Sequence, residues 1–160
     1  MSHAFLSAME DSGSVGPGSG WSPAPIVIAD AAGTLASALP AYLKSHSQGE
    51  YVFDHAWADA WHRAGGSYYP KMQIAAPFTP ATGPRLLLAD DALAPALLRA
   101  AEQVCADNGL SSAHATFIAP DGKTGAIPAS TNSSARYPRA SARTSARSAR
   151  RRSRGWKSAP

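Results

Sequence analysis

Hydrophobic and polar residues recur with regular periods through residues 1–120 of the 160-residue chain. Short apolar runs bounded by Gly, Pro, Asn and Asp predict β-strands, and apolar residues three or four positions apart predict helices. In chain order the pattern predicts a helix, a β-hairpin, a helix, two strands, a helix and a strand, at residues 3–10, 25–43, 52–64, 68–76, 85–89, 91–108 and 111–118. This order predicts an α/β fold, with helices packed on a mixed sheet.

Two of these elements carry more specific expectations. The hairpin turns at residues 30–33, and Pro40 has to lie at an edge or a bulge of its second strand because it has no N–H for the ladder. In the second helix, Phe53, Trp57 and Trp61 are four positions apart, which predicts that they share one apolar face.

The charges divide the chain at about residue 120. Residues 1–120 carry five basic and ten acidic side chains, whereas residues 121–160 carry ten basic side chains and Asp121. Apart from alanine and proline, the second segment has only Ile127, Tyr137 and Trp156 as apolar residues. Such a segment buries too little surface to offset the entropy of ordering its backbone. The sequence therefore predicts a folded domain over 1–120 and a basic, low-complexity, disordered tail over 121–160.

Several classes of protein are disfavoured by what the sequence lacks. Cys105 is the single cysteine, so the chain forms no internal disulfide and no cysteine-based metal site. With the histidines scattered, we expect no metal. Apolar runs are too short for a membrane span, and the N-terminus does not resemble a signal peptide, so we expect a cytoplasmic protein.

Five segments carry a family resemblance: residues 2–15, 42–60, 68–73, 77–80 (Pro-Phe-Thr-Pro) and 83–85 (Gly-Pro-Arg). Together they resemble the N-terminal part of the FemAB-like acyltransferases. This bacterial family is placed with the GNAT acyl-CoA N-acyltransferases and associated with peptidoglycan biosynthesis. The resemblance covers most of residues 2–118. It implies a partial GNAT-like fold and transfer of an acyl group from a donor such as acyl-CoA to a small-molecule amine.

The resemblance stops near Asp121. Family members are about twice this length, with two GNAT-like halves, and continue past the last predicted strand with an aromatic segment and a Lys/Arg-rich helix. This chain instead continues with Arg among Ser and Ala. We therefore expect a truncated member whose tail is read out of frame from near codons 119–126. Such a fragment would be inactive and would bind no acyl-CoA.

The polar loop at residues 45–50 offers the groups that acyl transfer needs: a base for the amine and donors for the developing oxyanion. His46 or Glu50 is the candidate base, and Ser45 or Ser47 the candidate donor. The competing interpretation is a solvated loop whose side chains satisfy backbone groups.

Further candidates follow the loop. Tyr51, Asp54 and Trp57 are expected to line a substrate cleft, although Asp54 alternatively serves only as a charge at a helix start. Tyr69 and Lys71, with the preceding Tyr68, are expected to form a pocket wall or else the wet face of a strand.

Two non-enzymatic alternatives stay open. The chain is either a binding protein that keeps the cleft without the chemistry, or a nucleic-acid-binding protein that uses the basic tail. In the second case, binding would be weak, nonspecific and salt-dependent.

Overall fold

A computed structural model describes residues 2–119 and a short strand at residues 125–126. The helices are α1 (His3–Asp11), α2 (His55–Arg63) and α3 (Ala94–Asn108), and a 3₁₀ turn at Asp91–Leu93 precedes α3. The strands are β1 (Trp21–Pro23), β2 (Ile26–Ala29), β3 (Leu35–Leu39), β4 (Ala41–Lys44), β5 (Lys71–Ile74), β6 (Leu87–Leu88), β7 (Ala113–Ala115) and β8 (Gly125–Ala126). The predicted α/β class is confirmed.

The strands form two four-stranded sheets, whereas the sequence predicted one. In sheet 1 the order is β1-β4-β5-β7, and in sheet 2 it is β2-β3-β6-β8. Each is mixed: β5 with β7 and β6 with β8 are parallel, and the other pairs are antiparallel.

Pro40 divides the predicted second hairpin strand between the two sheets. β3 ends at Leu39 and pairs with β2, and β4 begins at Ala41 and pairs with β1 and β5. Since proline cannot donate to a ladder, the chain changes sheet at this residue. The hairpin turn itself forms as predicted, because the Thr34 amide donates to Asp30 Oδ1 at 2.8 Å and Gly33 takes a φ of 85°.

The main hydrophobic core lies between the two sheets and α3. Its buried members come from β3, β4, β5, β6 and α3: Leu39, Ala41, Met72, Ile74, Leu88, Leu97 and Ala101. Both predicted ends of α3 have a physical cause. Asp90 accepts from the Ala92 amide at 2.9 Å in the turn before the helix, and Gly109 closes it with a left-handed φ of 61°.

Helix α2 does not bury the face that the sequence predicted to be apolar. The helix begins at His55, so Phe53 precedes it and is 87% exposed. Trp57 and Trp61 are 73% and 52% exposed. Trp61 does lie against Gly66, where an added Cβ would come within 2.3 Å of the indole nitrogen. The aromatic spacing correctly predicted a helix, but not what the helix packs against.

The two regions beyond α3 are shorter than predicted or only partly described. Residues 111–118 contain only the three-residue β7. Of the predicted tail, the structure describes only β8, which pairs with β6, and the remainder lies outside the described residues. The proposed disorder and the nucleic-acid alternative, which rest on that tail, therefore stay predictions. None of the helices in the described part is long and apolar enough to cross a membrane.

Candidate functional site

The alternation of side chains along β5 gives sheet 1 two unlike faces. Met72 and Ile74 point into the core, so Lys71 and Gln73 point to the opposite side. Residues paired directly across strands share a face. The register places Lys44 opposite Lys71, and places Tyr42 and His114 on either side of Gln73. We call these five residues, Tyr42, Lys44, Lys71, Gln73 and His114, the polar face.

Residues 45–54, which we call the covering loop, pass over this face and form an ion cluster with it. Lys71 Nζ lies 2.8 Å from Glu50 Oε2 and 2.6 Å from Asp54 Oδ2. All three residues are buried, with exposed fractions of 0%, 3% and 5% for Lys71, Glu50 and Asp54. Asp54 stands at the N-cap position of α2, but its carboxylate makes no capping hydrogen bond. The side chain of Asp54 therefore binds Lys71 and does not merely serve the helix start.

Two tyrosines before β5 complete the wall of the cluster. The Tyr68 hydroxyl donates to Asp54 Oδ2 at 2.7 Å, and the Tyr69 hydroxyl is hydrogen-bonded to the Ser47 hydroxyl. Lys71 Nζ lies 5.2 Å and 5.8 Å from the centroids of the two rings, within cation–π range. Residues 68 and 69 are thus tied to the covering loop and do not form a wet strand face.

Lys44 is a second buried ammonium beside the cluster. It donates to the Gln48 carbonyl oxygen at 3.0 Å and lies 3.8 Å from the centre of the Trp21 ring. The Trp21 indole N–H donates to the same carbonyl at 3.1 Å, which fixes the middle of the loop. Burial lowers the pKa of Lys44 to about 8, although the nearby Glu50 carboxylate opposes this.

The same surroundings act oppositely on the two carboxyl groups. Burial raises the pKa of Asp54, but hydrogen bonds from Lys71, Ser47 and Tyr68 outweigh it and bring that pKa to about 2. For Glu50, burial dominates over the attraction of Lys71, and the pKa is raised. Burial also disfavours the Lys71 ammonium, yet the hydrogen bonds to Asp54 and Glu50 raise its pKa overall. One cation between two anions gives these three residues a formal charge of −1, which the nearby Lys44 ammonium partly offsets.

Three buried oxygen atoms on this face have no hydrogen-bond partner among the described residues: Glu50 Oε1, Asp54 Oδ1 and Gln73 Oε1. The amide nitrogen of Gln73 donates to Thr116 Oγ1 at 2.9 Å, which leaves its oxygen as the acceptor still to be satisfied. Buried acceptors are costly to leave unpaired. The arrangement suits a group with several N–H donors and a positive charge.

The structure brings together some of the predicted site residues and separates others. Ser47, Glu50, Asp54, Tyr69 and Lys71 lie in the cluster or in direct contact with it. Because Ser47 and Glu50 are buried, the alternative of a wholly solvated loop is wrong for these two residues.

The other predicted residues lie away from the cluster contacts. His46 packs on Gly20, and its Nδ1 accepts from the Gln48 amide at 3.3 Å, while burial lowers its pKa. Ser45 donates its backbone N–H to the Gly20 carbonyl at 3.3 Å. Tyr51 is 54% exposed, and Trp57 lies on the open face of α2. Their predicted roles stay predictions.

Sequence reasoning missed Lys44 and Gln73. The alternation of β4 places Lys44 on the side of Tyr42, which is a signal, but its position opposite Lys71 depends on a strand register that the sequence does not reveal. His114 is half-buried on the polar face, and its Nε2 is hydrogen-bonded to Ser112 Oγ at 2.9 Å. Nowhere in residues 2–119 do His, Cys, Asp and Glu side chains group in a way that could hold a metal ion.

Comparison with known proteins identifies a family. A family model described as FemAB-like, peptidoglycan biosynthesis/recognition, matches residues 1–137. No curated protein and no solved structure matches. The matched range extends beyond residue 118, where the resemblance in the sequence ended, and it includes β8 and all residues of the polar face and its covering loop. The chain belongs to the FemAB-like family.

Proposed function

We propose that this chain binds the amine substrate of a peptidoglycan-directed N-acyl transfer, with the polar face of sheet 1 and residues 45–54 as the binding site. The observation that carries the proposal is the ion cluster of Lys71, Glu50 and Asp54, with one unpaired oxygen on each carboxylate. The family description supports peptidoglycan as the setting.

The charge of the cluster selects the ligand. Two carboxylates around one ammonium leave a negative charge of one in a buried place, where Coulomb interactions are stronger than in water. A primary ammonium brings three N–H donors and one positive charge, and the cluster offers Glu50 Oε1, Asp54 Oδ1 and the nearby Gln73 Oε1 as acceptors. With a neutral ligand, only the nearby Lys44 ammonium, whose pKa burial lowers to about 8, would offset this charge.

Glu50 is the better placed of the two predicted bases. Its Oε1 is free of protein partners among the described residues, and its raised pKa favours proton uptake. In the proposed reaction Glu50 takes one proton from the ammonium, and the resulting amine attacks the thioester carbonyl carbon of the acyl donor. The C–N bond forms, the C–S bond breaks, and the second proton lost by nitrogen neutralises the departing thiolate.

The remaining parts of the proposed reaction follow from the family resemblance. The donor is acyl-CoA or a related activated acyl group. Ser47 and Tyr69, whose hydroxyls are hydrogen-bonded to each other, are the candidate donors to the developing oxyanion. His46 is the alternative base. The expectation that the chain is inactive on its own stays a prediction that the transfer assay below tests.

Amine binding is tested with a matched pair of ligands. Amide NMR shifts of the full chain would be followed during titration with a lysine-containing peptidoglycan stem peptide and with the same peptide acetylated on the ε-amine. We expect saturable shifts in residues 45–54 and 71–73 with the free amine only. Equal responses to both peptides would contradict the proposal.

A matched pair of variants tests the residues. Glu50→Gln removes the charge with little change of shape, and Glu102→Gln makes the same change on the exposed surface of α3. We expect at least about tenfold weaker amine binding for Glu50→Gln, since a charge-assisted hydrogen bond contributes about 1.5–3 kcal/mol. Unchanged affinity in Glu50→Gln would refute the assignment.

The burial of the cluster favours the non-enzymatic alternative as a second candidate. With Lys71 wholly enclosed and Glu50 almost so, a ligand reaches them only after the covering loop moves. A thiol-release assay with acetyl-CoA and the free-amine peptide separates the two functions. Thiol release that requires Glu50 supports the enzyme, whereas amine binding without release supports a binding protein and agrees with the expected inactivity.

A further inference from the structure

A second polar feature lies beyond the C-terminal end of β5, away from the ion cluster. An open cavity of about 460 Å³ is bordered by the start of α1 and by the segment that follows β5. Apart from two alanines, the cavity is lined by Ser2, Phe5, Thr79, Thr82, Gly83 and Arg85. None of the residues that line it is acidic.

Arg85 is the unusual member of this lining. It is only 5% exposed, and its hydrogen bonds all go to backbone carbonyls: Nε to Thr116 at 2.9 Å, Nη2 to Ala81 at 2.7 Å and Nη1 to Pro84 at 3.4 Å. No carboxylate of residues 2–119 forms an ion pair with it; the ion pairs found there are those of Lys71.

The guanidinium keeps donor capacity after these bonds. It has five N–H groups, and three are used, so one remains on each terminal nitrogen. Two such donors match the two oxygens of a carboxylate or phosphate. Burial lowers the pKa of Arg85, which is the expected effect of enclosing a cation without an anion beside it.

A buried charge with no counter-charge is expensive, and carbonyl dipoles offset only part of the cost. The other cavity wall adds favourable potential for an anion. Ser2 caps α1 by accepting from the Phe5 amide at 3.3 Å, so the positive end of that nine-residue helix lies at the cavity. Thr82 is a further polar residue of the lining.

We propose that this cavity is an oxyanion site, in which Arg85 binds a carboxylate or a phosphate group through its two terminal nitrogens. The site is distinct from the ion cluster: it holds a cation with no carboxylate partner among residues 2–119, whereas the cluster holds two carboxylates around one ammonium. Thr116 connects them, because its carbonyl accepts from Arg85 and its hydroxyl from Gln73. An amphoteric ligand with separated amine and acid groups would match the ion cluster and the Arg85 cavity together.

Gly83 provides a way to block the cavity without touching the charge. A Cβ added there would lie 3.7 Å from Arg85 Nη1, in ordinary van der Waals contact, and the backbone is not in the left-handed region. Gly83→Ala therefore keeps the fold and Arg85 while placing a methyl group beside the guanidinium. It complements Arg85→Lys, which keeps the charge but loses the planar fork.

The test uses the full chain with inorganic phosphate and sodium acetate as probes, titrated at constant ionic strength against sodium chloride. Amide NMR shifts of residues 2–5 and 79–85 would be followed. We expect saturable shifts with at least one oxyanion and none with chloride. Tighter phosphate binding would identify a phosphate site, and tighter acetate binding a carboxylate site.

The variants decide the assignment. Arg85→Lys and Gly83→Ala should each weaken the preferred oxyanion at least about fivefold, whereas Arg99→Lys, the same exchange at an exposed position on α3, should not. If Arg85→Lys unfolds, Gly83→Ala alone carries the decision. Non-saturable shifts, or equal affinity in Gly83→Ala and the unsubstituted chain, would overturn the proposal. If the unsubstituted chain binds the oxyanion but not the free-amine peptide, only the proposed function is refuted.

Discussion

Replacing Lys71 with methionine tests whether the ion cluster holds the covering loop in place. The substitution keeps the length and most of the volume of the side chain. Among residues 2–119, it removes the only cation in hydrogen-bond contact with Glu50 and Asp54. Breaking a buried ion pair by removing one partner typically costs about 3–5 kcal/mol, because the other charge stays buried and uncompensated. Here two carboxylates are left, so we expect a loss of about 4–5 kcal/mol at pH 7.

The stability of Lys71→Met should also depend on pH, in a direction set by the two remaining carboxylates. Without Lys71, the two carboxylates repel each other in a buried place, and their folded-state pKa values rise above those of the unfolded chain. A raised carboxyl pKa contributes stability that is present at low pH and lost as pH rises through the folded-state value. Lys71→Met should therefore be more stable near pH 5 than at pH 7.

Urea unfolding followed by circular dichroism measures both effects, with Lys44→Met as the control. Lys44 lies directly opposite Lys71 and is equally buried, but it donates to a backbone carbonyl and not to a carboxylate. Its loss removes one hydrogen bond but also the cost of burying an ammonium, so it should change stability by under about 2 kcal/mol at pH 7. If the two variants lose equal stability, or if Lys71→Met is least stable at pH 5, the cluster does not work as described.

Three further predictions follow from the same contacts. Asp54 has a folded-state pKa of about 2 against an ordinary 3.8, so it contributes about 2 kcal/mol that is present above pH 4 and lost as pH falls to 2; urea unfolding over this range should show a flatter profile for Asp54→Asn than for the unsubstituted chain. Lys44 has a folded-state pKa of about 8 against 10.5, so the unfolded chain binds more protons and stability should rise between pH 8 and 10; a rise that persists in Lys44→Met would have another origin. Leu97→Ala, at a wholly buried core position, should lower the free energy of unfolding by about 2–5 kcal/mol, whereas Leu98→Ala, at its half-exposed neighbour, should lower it by under about 1 kcal/mol. Equal midpoints of thermal unfolding for the two variants would show that Leu97 does not lie in the core.

The elements that the sequence predicted best are those whose ends have local chemical causes. Ser2 before α1, Asp90 before α3 and Gly109 after it are short-range signals that need no knowledge of the rest of the chain. The number of sheets was wrong because the alternation from residue 35 to 43 continues through Pro40. The pattern records which residues are apolar, but not which partner strand each half chooses.

In the candidate site, too, the sequence predicted what depends on residue type and missed what depends on contacts between distant parts of the chain. Glu50, Asp54 and Lys71 were selected by residue type and by the family resemblance, and the structure brings them together. Lys44 and Arg85 were not selected as functional residues, because burial and distant contacts are what distinguish them. Lys44 lies opposite Lys71, 27 positions along the chain, and Arg85 donates to the Thr116 carbonyl, 31 positions along. Conversely, Trp57 was selected from a helical spacing that says nothing about what covers the helix.

The alternation of β5 also bears on how the gene can change over generations. Lys71 and Gln73 serve the polar face while Met72 and Ile74 serve the core, so a single-codon insertion or deletion within the strand would exchange the two sets. Such an event would place an apolar side chain beside Glu50 and Asp54 and an ammonium in the core, and no single point mutation would restore both. Length variation among descendants of this gene should therefore be excluded from residues 71–74.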